Sequence, residues 1–217
     1  MNMERKPVLA TSYELSAWNP ILEKSEGDRA APYLLELAGC LMDPLEQNRI
    51  VGRLHAHILC DWIINLEGML EVEPSWGYLR KIMDADAGGG VCPDVAACLY
   101  VPQERVERGD LMVVERVEVL PEYEGWGFGG ELIEDAFRTA ARNVSLAVLR
   151  PFPLQFEGGE RHSPAPSPWG PEWHQAMCLN QRECSKEDAM KRIIASYRRA
   201  GFVDLSDEPD PLMGKPA

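Results

Sequence analysis

Three things are scarce in this sequence, and each scarcity removes a class of protein. Its six cysteines (Cys40, Cys60, Cys92, Cys98, Cys178 and Cys184) include no Cys-x-x-Cys pair. A chain of 217 residues folds without disulfide staples, so the thiols read as reduced and the protein as cytoplasmic. The Asn143-Val-Ser145 sequon is then irrelevant, since glycosylation needs the secretory route. Basic residues are outnumbered, 22 Lys and Arg against 35 Asp and Glu, which leaves a formal charge of −13. Such a field repels a phosphate backbone, so nucleic acid is excluded as a partner. It attracts cationic amines, although acidity also simply keeps a protein in solution. Met1 to Leu22 contains no continuous apolar run, because Glu4, Arg5, Lys6 and Glu14 are interspersed with Pro7 and Pro20. This stretch reads as neither a signal peptide nor a membrane anchor. No internal repeat is present.

An apolar content of 45% supports one sizeable core, and a single domain is the expectation. Residues 33–41 (YLLELAGCL) and 49–59 (RIVGRLHAHIL) flank Asp43-Pro44 and read as neighbouring strands joined by a turn. In the second, Ile50, Gly52, Leu54, Ala56 and Ile58 share one face, while Val51, Arg53, His55 and His57 share the other. Residues 74–83 read as a short helix opened by Pro74, and Asp84 to Pro93, with three consecutive glycines, as a flexible loop. Residues 94–101 (DVAACLYV) and 110–119 (DLMVVERVEV) are expected as strands joined by a polar hairpin through Glu104 to Gly109.

Residues 131–142 are the most regular part of the chain. Leu132, Ile133, Ala136, Phe137, Ala140 and Ala141 form one apolar stripe at helical spacing, opposite Glu131, Glu134, Asp135, Arg138 and Arg142. The loop PEYEGWGFGG leads into this helix, and residues 144–150 (VSLAVLR) follow as a strand, a unit that favours parallel pairing. Residues 151–184 hold six prolines and three glycines, so this long insertion is expected to be mostly irregular. Ser185-Lys-Glu-Asp188 has the spacing of a capping box and opens a last helix with Ala189, Ile193, Ile194 and Tyr197 on one face. Gly201 ends it, residues 202–205 read as a strand, and the tail from Asp207 is expected to be loose.

Gly125, Gly127, Gly129 and Gly130 lie between a strand and a helix. Backbone N–H groups can converge there without obstruction by side chains, and the helix dipole adds positive charge. That describes a pyrophosphate cradle, and equally a tight turn.

The surroundings of the loop decide between these. The run VEVLPEYEGWGFGGELIEDAF resembles the signature of the GNAT superfamily of N-acetyltransferases: a strand ending in Val, then Pro, a short linker, Gln/Arg-x-x-Gly-x-Gly/Ala and an amphipathic helix. Glu124-Gly125-Trp126-Gly127-Phe128-Gly129 occupies the signature, and Tyr197-Arg-Arg-Ala-Gly201-Phe202 resembles the family's second hallmark. The likeness covers residues 110–150 and 186–205.

The resemblance implies an α/β fold with a mixed, mainly antiparallel sheet flanked by helices. It implies acetyl-CoA as acyl donor, an amine acceptor that is a small molecule or a peptide, and it allows a homodimer. By position, the backbone of Val117 and Val119 would bind the pantetheine arm as an added strand, and the amides of Gly125, Trp126, Gly127, Phe128, Gly129 and Gly130 would take the pyrophosphate. Tyr197 matches the family's acid for the leaving thiolate; on its residues alone it can equally be core packing. Glu115 and Glu118 lie where some members keep a base, or are simply solvated carboxylates. One position departs from the family: Glu124 stands where Gln or Arg is usual. Two like charges about 5 Å apart repel by roughly 1 kcal/mol even when well screened. A chain that keeps the fold as a non-catalytic CoA-binding or protein-interaction module is therefore the alternative to an enzyme.

Two further groupings involve metal-ligand residue types. His55 and His57 share a strand face, but the sequence offers no adjoining pair of carboxylates or thiols to complete a set. His174, Cys178, Cys184 and His162 fall in the insertion with no standard zinc spacing, so no metal is expected. Trp169 and Trp173 would anchor that insertion to the core or line an acceptor pocket.

Overall fold

A computed structural model describes residues 6–18, 34–84, 90–157, 166–206 and 211–216. Parts of the amino-terminal stretch, the triple-glycine loop, the insertion and the carboxy-terminal tail lie outside the described residues. In chain order the strands and helices begin with β1 (Ala10–Trp18), β2 (Leu34–Asp43), β3 (Arg49–Leu59) and α1 (Trp62–Val72). A 3-10 helix at Pro74–Ile82 follows, then β4 (Met83–Asp84), β5 (Gly90–Val91), α2 (Pro93–Leu99) and α3 (Gln103–Glu107). The remainder is β6 (Asp110–Val119), α4 (Phe128–Thr139), β7 (Val144–Leu149), α5 (Pro171–Ala176), α6 (Lys186–Arg199), β8 (Val203–Ser206) and β9 (Leu212–Pro216).

Seven strands form one sheet in the order β1-β2-β3-β6-β7-β9-β8. Only β6 and β7 pair in parallel; every other neighbour is antiparallel. This is the mixed, mainly antiparallel sheet flanked by helices that the resemblance implied. The parallel pair follows from the crossover through α4, whose apolar stripe (Leu132, Ile133, Ala136, Phe137) is buried against Leu37, Leu54, Ala56 and Met112 on one face of the sheet. The other face is covered by α1, the 3-10 helix, α2 and α3, where Trp62, Trp76, Leu79 and Val106 pack on Leu59, Val113 and Val148. No helix among the described residues is long and apolar enough to cross a membrane.

Three expectations are corrected. Residues 94–101 are not a strand: Pro93 occupies the first turn of helix α2, and Val95, Ala96 and Leu99 are buried at helical spacing. The polar hairpin after it is instead the short helix α3, whose one buried residue is Val106. The described part of the tail, residues 211–216, is not loose, because Leu212 and Met213 are fully buried in β9, hydrogen-bonded between β7 and β8. Gly214 and Pro216 disguise that strand, since both weaken strand propensity.

Strand β1 and helices α1 and α5 were not expected from the sequence, whereas several local devices follow it. Asp43 accepts the N–H of Leu45 at 2.8 Å to close the turn between β2 and β3. The side chain of Ser185 accepts the N–H of Asp188 at 3.0 Å and caps α6. At the two ends of the Asp84–Pro93 stretch, whose residues 85–89 lie outside the described residues, β4 and β5 pair as a two-residue ladder. The insertion contains α5 and two 3-10 turns, Leu154–Phe156 and Leu179–Gln181. Trp173 and Met177 fix it to the core, and the Arg53 guanidinium lies 5.7 Å and 4.9 Å from the rings of Trp169 and Trp173.

Candidate functional site

The functional candidates gather where the sheet opens. β6 and β7 are paired from Asp110/Val144 to Val114/Leu149, and there β7 ends. β6 continues to Val119 with β3 as its one partner among the described residues. The gap beside residues 115–119 is the floor of a cavity of about 1090 Å³, walled by the glycine loop, the start of α4, residues 149–155 and α6.

A bulge controls what this strand presents. His55 lies opposite Arg116 and Ala56 opposite Val114, so Glu115 is an extra residue in β6. Before it, Met112 and Val114 face the core under α4; after it, Val117 and Val119 do. Arg116 and Glu118 are thereby turned to the opposite face. The backbone is settled by the register. The Leu120 N–H donates to the Val51 carbonyl at 2.9 Å, which makes 51/120 and, by alternation, 53/118 hydrogen-bonded pairs. Val117 and Val119 therefore turn their N–H and C=O groups away from β3, toward the gap.

At the end of β6 the chain makes one 3-10 turn, Pro121–Tyr123, pinned by the Tyr123 hydroxyl donating to Asp43 Oδ2 at 2.8 Å. Gly125 and Gly127 then take φ of 82° and 83°, the left-handed region that glycine enters without strain. Gly127 caps α4, so the N–H groups of Phe128, Gly129 and Gly130 occupy the first turn without intrahelical acceptors. The helix can start this close to the sheet and to the end of α6 because two residues lack a Cβ. One on Gly129 would lie 3.3 Å from Val117 Cγ1, and one on Gly130 would lie 2.7 Å from the Ala200 Cβ. The positive end of α4 thus stands over the opening in the sheet. Trp126 packs its side chain on the core.

The glycine loop is less acidic than the net charge suggests. Glu124 pairs with Arg182 of the insertion at 2.5 Å, and Arg192 and Arg199 of α6 line the same cavity. Tyr197 also lines it, with its ring 5.8 Å from that of Phe202 in an edge-on contact. No group among the described residues hydrogen-bonds its hydroxyl. Burial pushes the phenol up to about 12, so it is protonated at neutral pH.

The two strand carboxylates expected as bases are both engaged. Glu118 is 1% exposed, lies 3.0 Å from Arg116 Nε and accepts from Trp173 Nε1 at 2.5 Å. Glu115 accepts from Trp76 Nε1 at 2.7 Å and lies 3.5 Å from His55 Nδ1 and 3.3 Å from His57 Nδ1. Burial raises the Glu115 pKa, but the hydrogen bonds with His55, His57 and Trp76 outweigh it and hold the carboxyl well below the usual range. The same contact with Glu115 raises His55 against the opposing effect of burial. Sequence reasoning missed Glu157. It accepts from Arg116 Nη1 at 2.7 Å, lines the cavity, and is raised first by burial and then by Glu118, with Arg116 opposing. Its aperiodic, proline-rich surroundings gave no signal. Sequence reasoning also left the His55–His57 pair without a third ligand, which the bulge supplies as Glu115. His174, Cys178 and Cys184 form no metal-ligand cluster among the described residues.

No protein-family model and no curated protein matches the sequence. Solved structures do match it, and several of these are N-acetyltransferases. Arabidopsis thaliana NAA60 in complex with acetyl-CoA is 10% identical, with 95% of this chain and 100% of that chain covered and a TM-score of 0.40. Drosophila melanogaster polyamine N acetyltransferase is 14% identical, covering 82% and 72%, with a TM-score of 0.36. Aedes aegypti arylalkylamine N-acetyltransferase 2 is 14% identical over the same shares, with a TM-score of 0.35. Likeness at this level carries no argument about activity, and the functional reading rests on the cleft itself.

Proposed function

We propose that this protein is an acyltransferase of the GNAT type that moves the acetyl group of acetyl-CoA to an amine. The observation that carries the reading is the coincidence at one opening of two features, the unpaired backbone edge of Val117 and Val119 and the amino-terminal turn of α4. A pantetheine arm has alternating amides that can add to such an edge as a strand does. Its pyrophosphate would then meet the loop and first-turn amides of Gly125 to Gly130, with Glu124 neutralised by Arg182 and with Arg192 and Arg199 supplying cationic charge around the same cavity.

In the reaction the amine nitrogen attacks the thioester carbonyl, a C–N bond forms, and the C–S bond breaks. The leaving thiolate takes the proton of the Tyr197 hydroxyl, and the tyrosinate recovers a proton from solvent. The proton lost by the amine goes to water or to Glu157, the cavity-lining carboxyl whose affinity for protons is raised. Glu115 suits this step poorly, since its charged form is so strongly favoured.

The test is thiol release from acetyl-CoA with a panel of small and peptidyl amines, run beside thermal stabilisation by CoA. Amine-dependent release supports the reading. Stabilisation by CoA without turnover would replace it with a CoA-binding module, and the absence of any CoA effect would overturn both.

A further inference from the structure

We propose that His55, His57 and Glu115 form a binding site for one divalent transition-metal ion, with zinc as the best match to the donors. The two histidines are two residues apart on β3 and so share a face. The bulge in β6 brings Glu115 between them. One ligand atom from each falls within 4.8 Å of the others, and the Glu115 carboxylate spans the two rings, with Oε2 3.5 Å from His55 Nδ1 and Oε1 3.3 Å from His57 Nδ1. Four tetrahedral bonds of zinc length place their donor atoms about 3.4 Å apart. Each imidazole already sits near that spacing from one oxygen of the carboxylate, and the donors must draw together from within 4.8 Å to close on an ion.

A second observation points the same way. A histidine ligand ordinarily gives its other ring nitrogen to a carboxylate, which fixes the tautomer and aims the free nitrogen at the metal. His55 Nε2 meets Glu36 Oε1 of β2 at 3.0 Å, leaving Nδ1 directed at Glu115. The carboxylate ligand is held as well, by the indole N–H of Trp76. The arrangement thus has three ligands and two supports drawn from three adjacent strands and the 3-10 helix. Imidazole and carboxylate donors without thiolate favour Zn²⁺, Co²⁺ or Ni²⁺ over Mg²⁺ and Ca²⁺. Three protein ligands leave a coordination position for water or an incoming molecule. Glu115 and Trp76 both line the large cavity, so the cluster borders it. The inference stands independently of the acyltransferase reading, because no step of acyl transfer is used to reach it.

The full chain, stripped with chelator and dialysed, would be titrated with Zn²⁺ by calorimetry and with Co²⁺ by visible absorption. The expected result is one ion per chain, with cobalt bands of tetrahedral strength and no sulfur-to-cobalt charge-transfer band. Glu115→Gln should abolish stoichiometric binding. Glu36→Gln, which keeps all three ligands, should weaken it by about 10–100-fold. That second variant keeps the test decisive if Glu115→Gln fails to fold. The joint variant His174→Ala, Cys178→Ser should bind as the wild type does. Absence of stoichiometric binding, a thiolate band, equal binding by Glu36→Gln, or loss of binding in the joint variant would each overturn the proposal.

Discussion

Arg182 places its guanidinium 2.5 Å from the carboxylate of Glu124, a residue 58 positions earlier in the chain. The contact bears on the position where the sequence departs from the signature that it resembles. Glu124 would repel a pyrophosphate held by the neighbouring amides, and an arginine contributed by the proline-rich insertion neutralises it. Both side chains line the cavity, so the pair presents no net negative charge beside the glycine loop.

Removing that arginine should therefore uncover the repulsion. Arg182→Ala is expected to weaken CoA about fivefold, the equivalent of roughly 1 kcal/mol between like charges near 5 Å. Adding Glu124→Gln to it should recover most of the loss. Calorimetric CoA titration of the two variants and their combination checks this; an Arg182→Ala chain that binds CoA as the wild type does would separate the pair from the ligand.

The approach of α4 to α6 gives a prediction about stability. An added Cβ on Gly130 would sit 2.7 Å from the Ala200 Cβ, too close for either to remain in place. Gly130→Ala should destabilise the fold by about 1–3 kcal/mol, as overpacking does. Because the obstacle is a single methyl, Ala200→Gly in the same chain should return part of it. Chemical denaturation of the single and double variants is the measurement.

These contacts show where the sequence was legible. The strand, glycine loop and helix around residues 117–137 could be read directly, because a period of two gives way to one of 3.6 with the punctuation of Pro121 and the glycines between. The Ser185 cap was legible for a similar local reason. By contrast, DVAACLYV fits a strand or a helix when taken alone, and only packing of Val95, Ala96 and Leu99 as one face decides. β9 was hidden because its order comes from the strands on either side of it. The Glu115 bulge is a property of the register between β3 and β6, which no single segment contains. The placement of Glu115 beside the His55–His57 pair, which the sequence did show, was invisible for that reason.

Acid should loosen the docking of β1 on α4. Asp135 accepts from the hydroxyls of Thr11 at 2.7 Å and Tyr13 at 2.9 Å, and pairs with Arg138 at 2.6 Å. The Thr11 and Arg138 contacts lower its pKa, burial opposes them, and Tyr13 adds to the lowering. A carboxyl with a folded pKa below its unfolded value of about 3.9 stabilises fully above that value and loses the contribution as pH falls through the folded pKa. Asp135→Asn should thus cost stability at pH 7, and the difference from the wild type should close below about pH 4. A constant difference across that range would mean that packing, not charge, holds the strand.

Tyr197 offers the sharpest separation of structure from chemistry. Its edge-on contact with Phe202 is an interaction of the ring, whereas under the proposed reaction the proton for the leaving thiolate would come from the hydroxyl, which has no partner among the described residues. Phenylalanine keeps the first and removes the second. With pKa about 12 the hydroxyl is a donor throughout the neutral range, so its loss should not change how the cavity is charged. Tyr197→Phe is expected to leave thermal stabilisation by CoA unchanged while lowering kcat about 100-fold or more, the scale of general acid catalysis. An unchanged kcat would reduce Tyr197 to a packing residue. A fall in CoA stabilisation with it would instead mean that the hydroxyl binds the cofactor in the ground state.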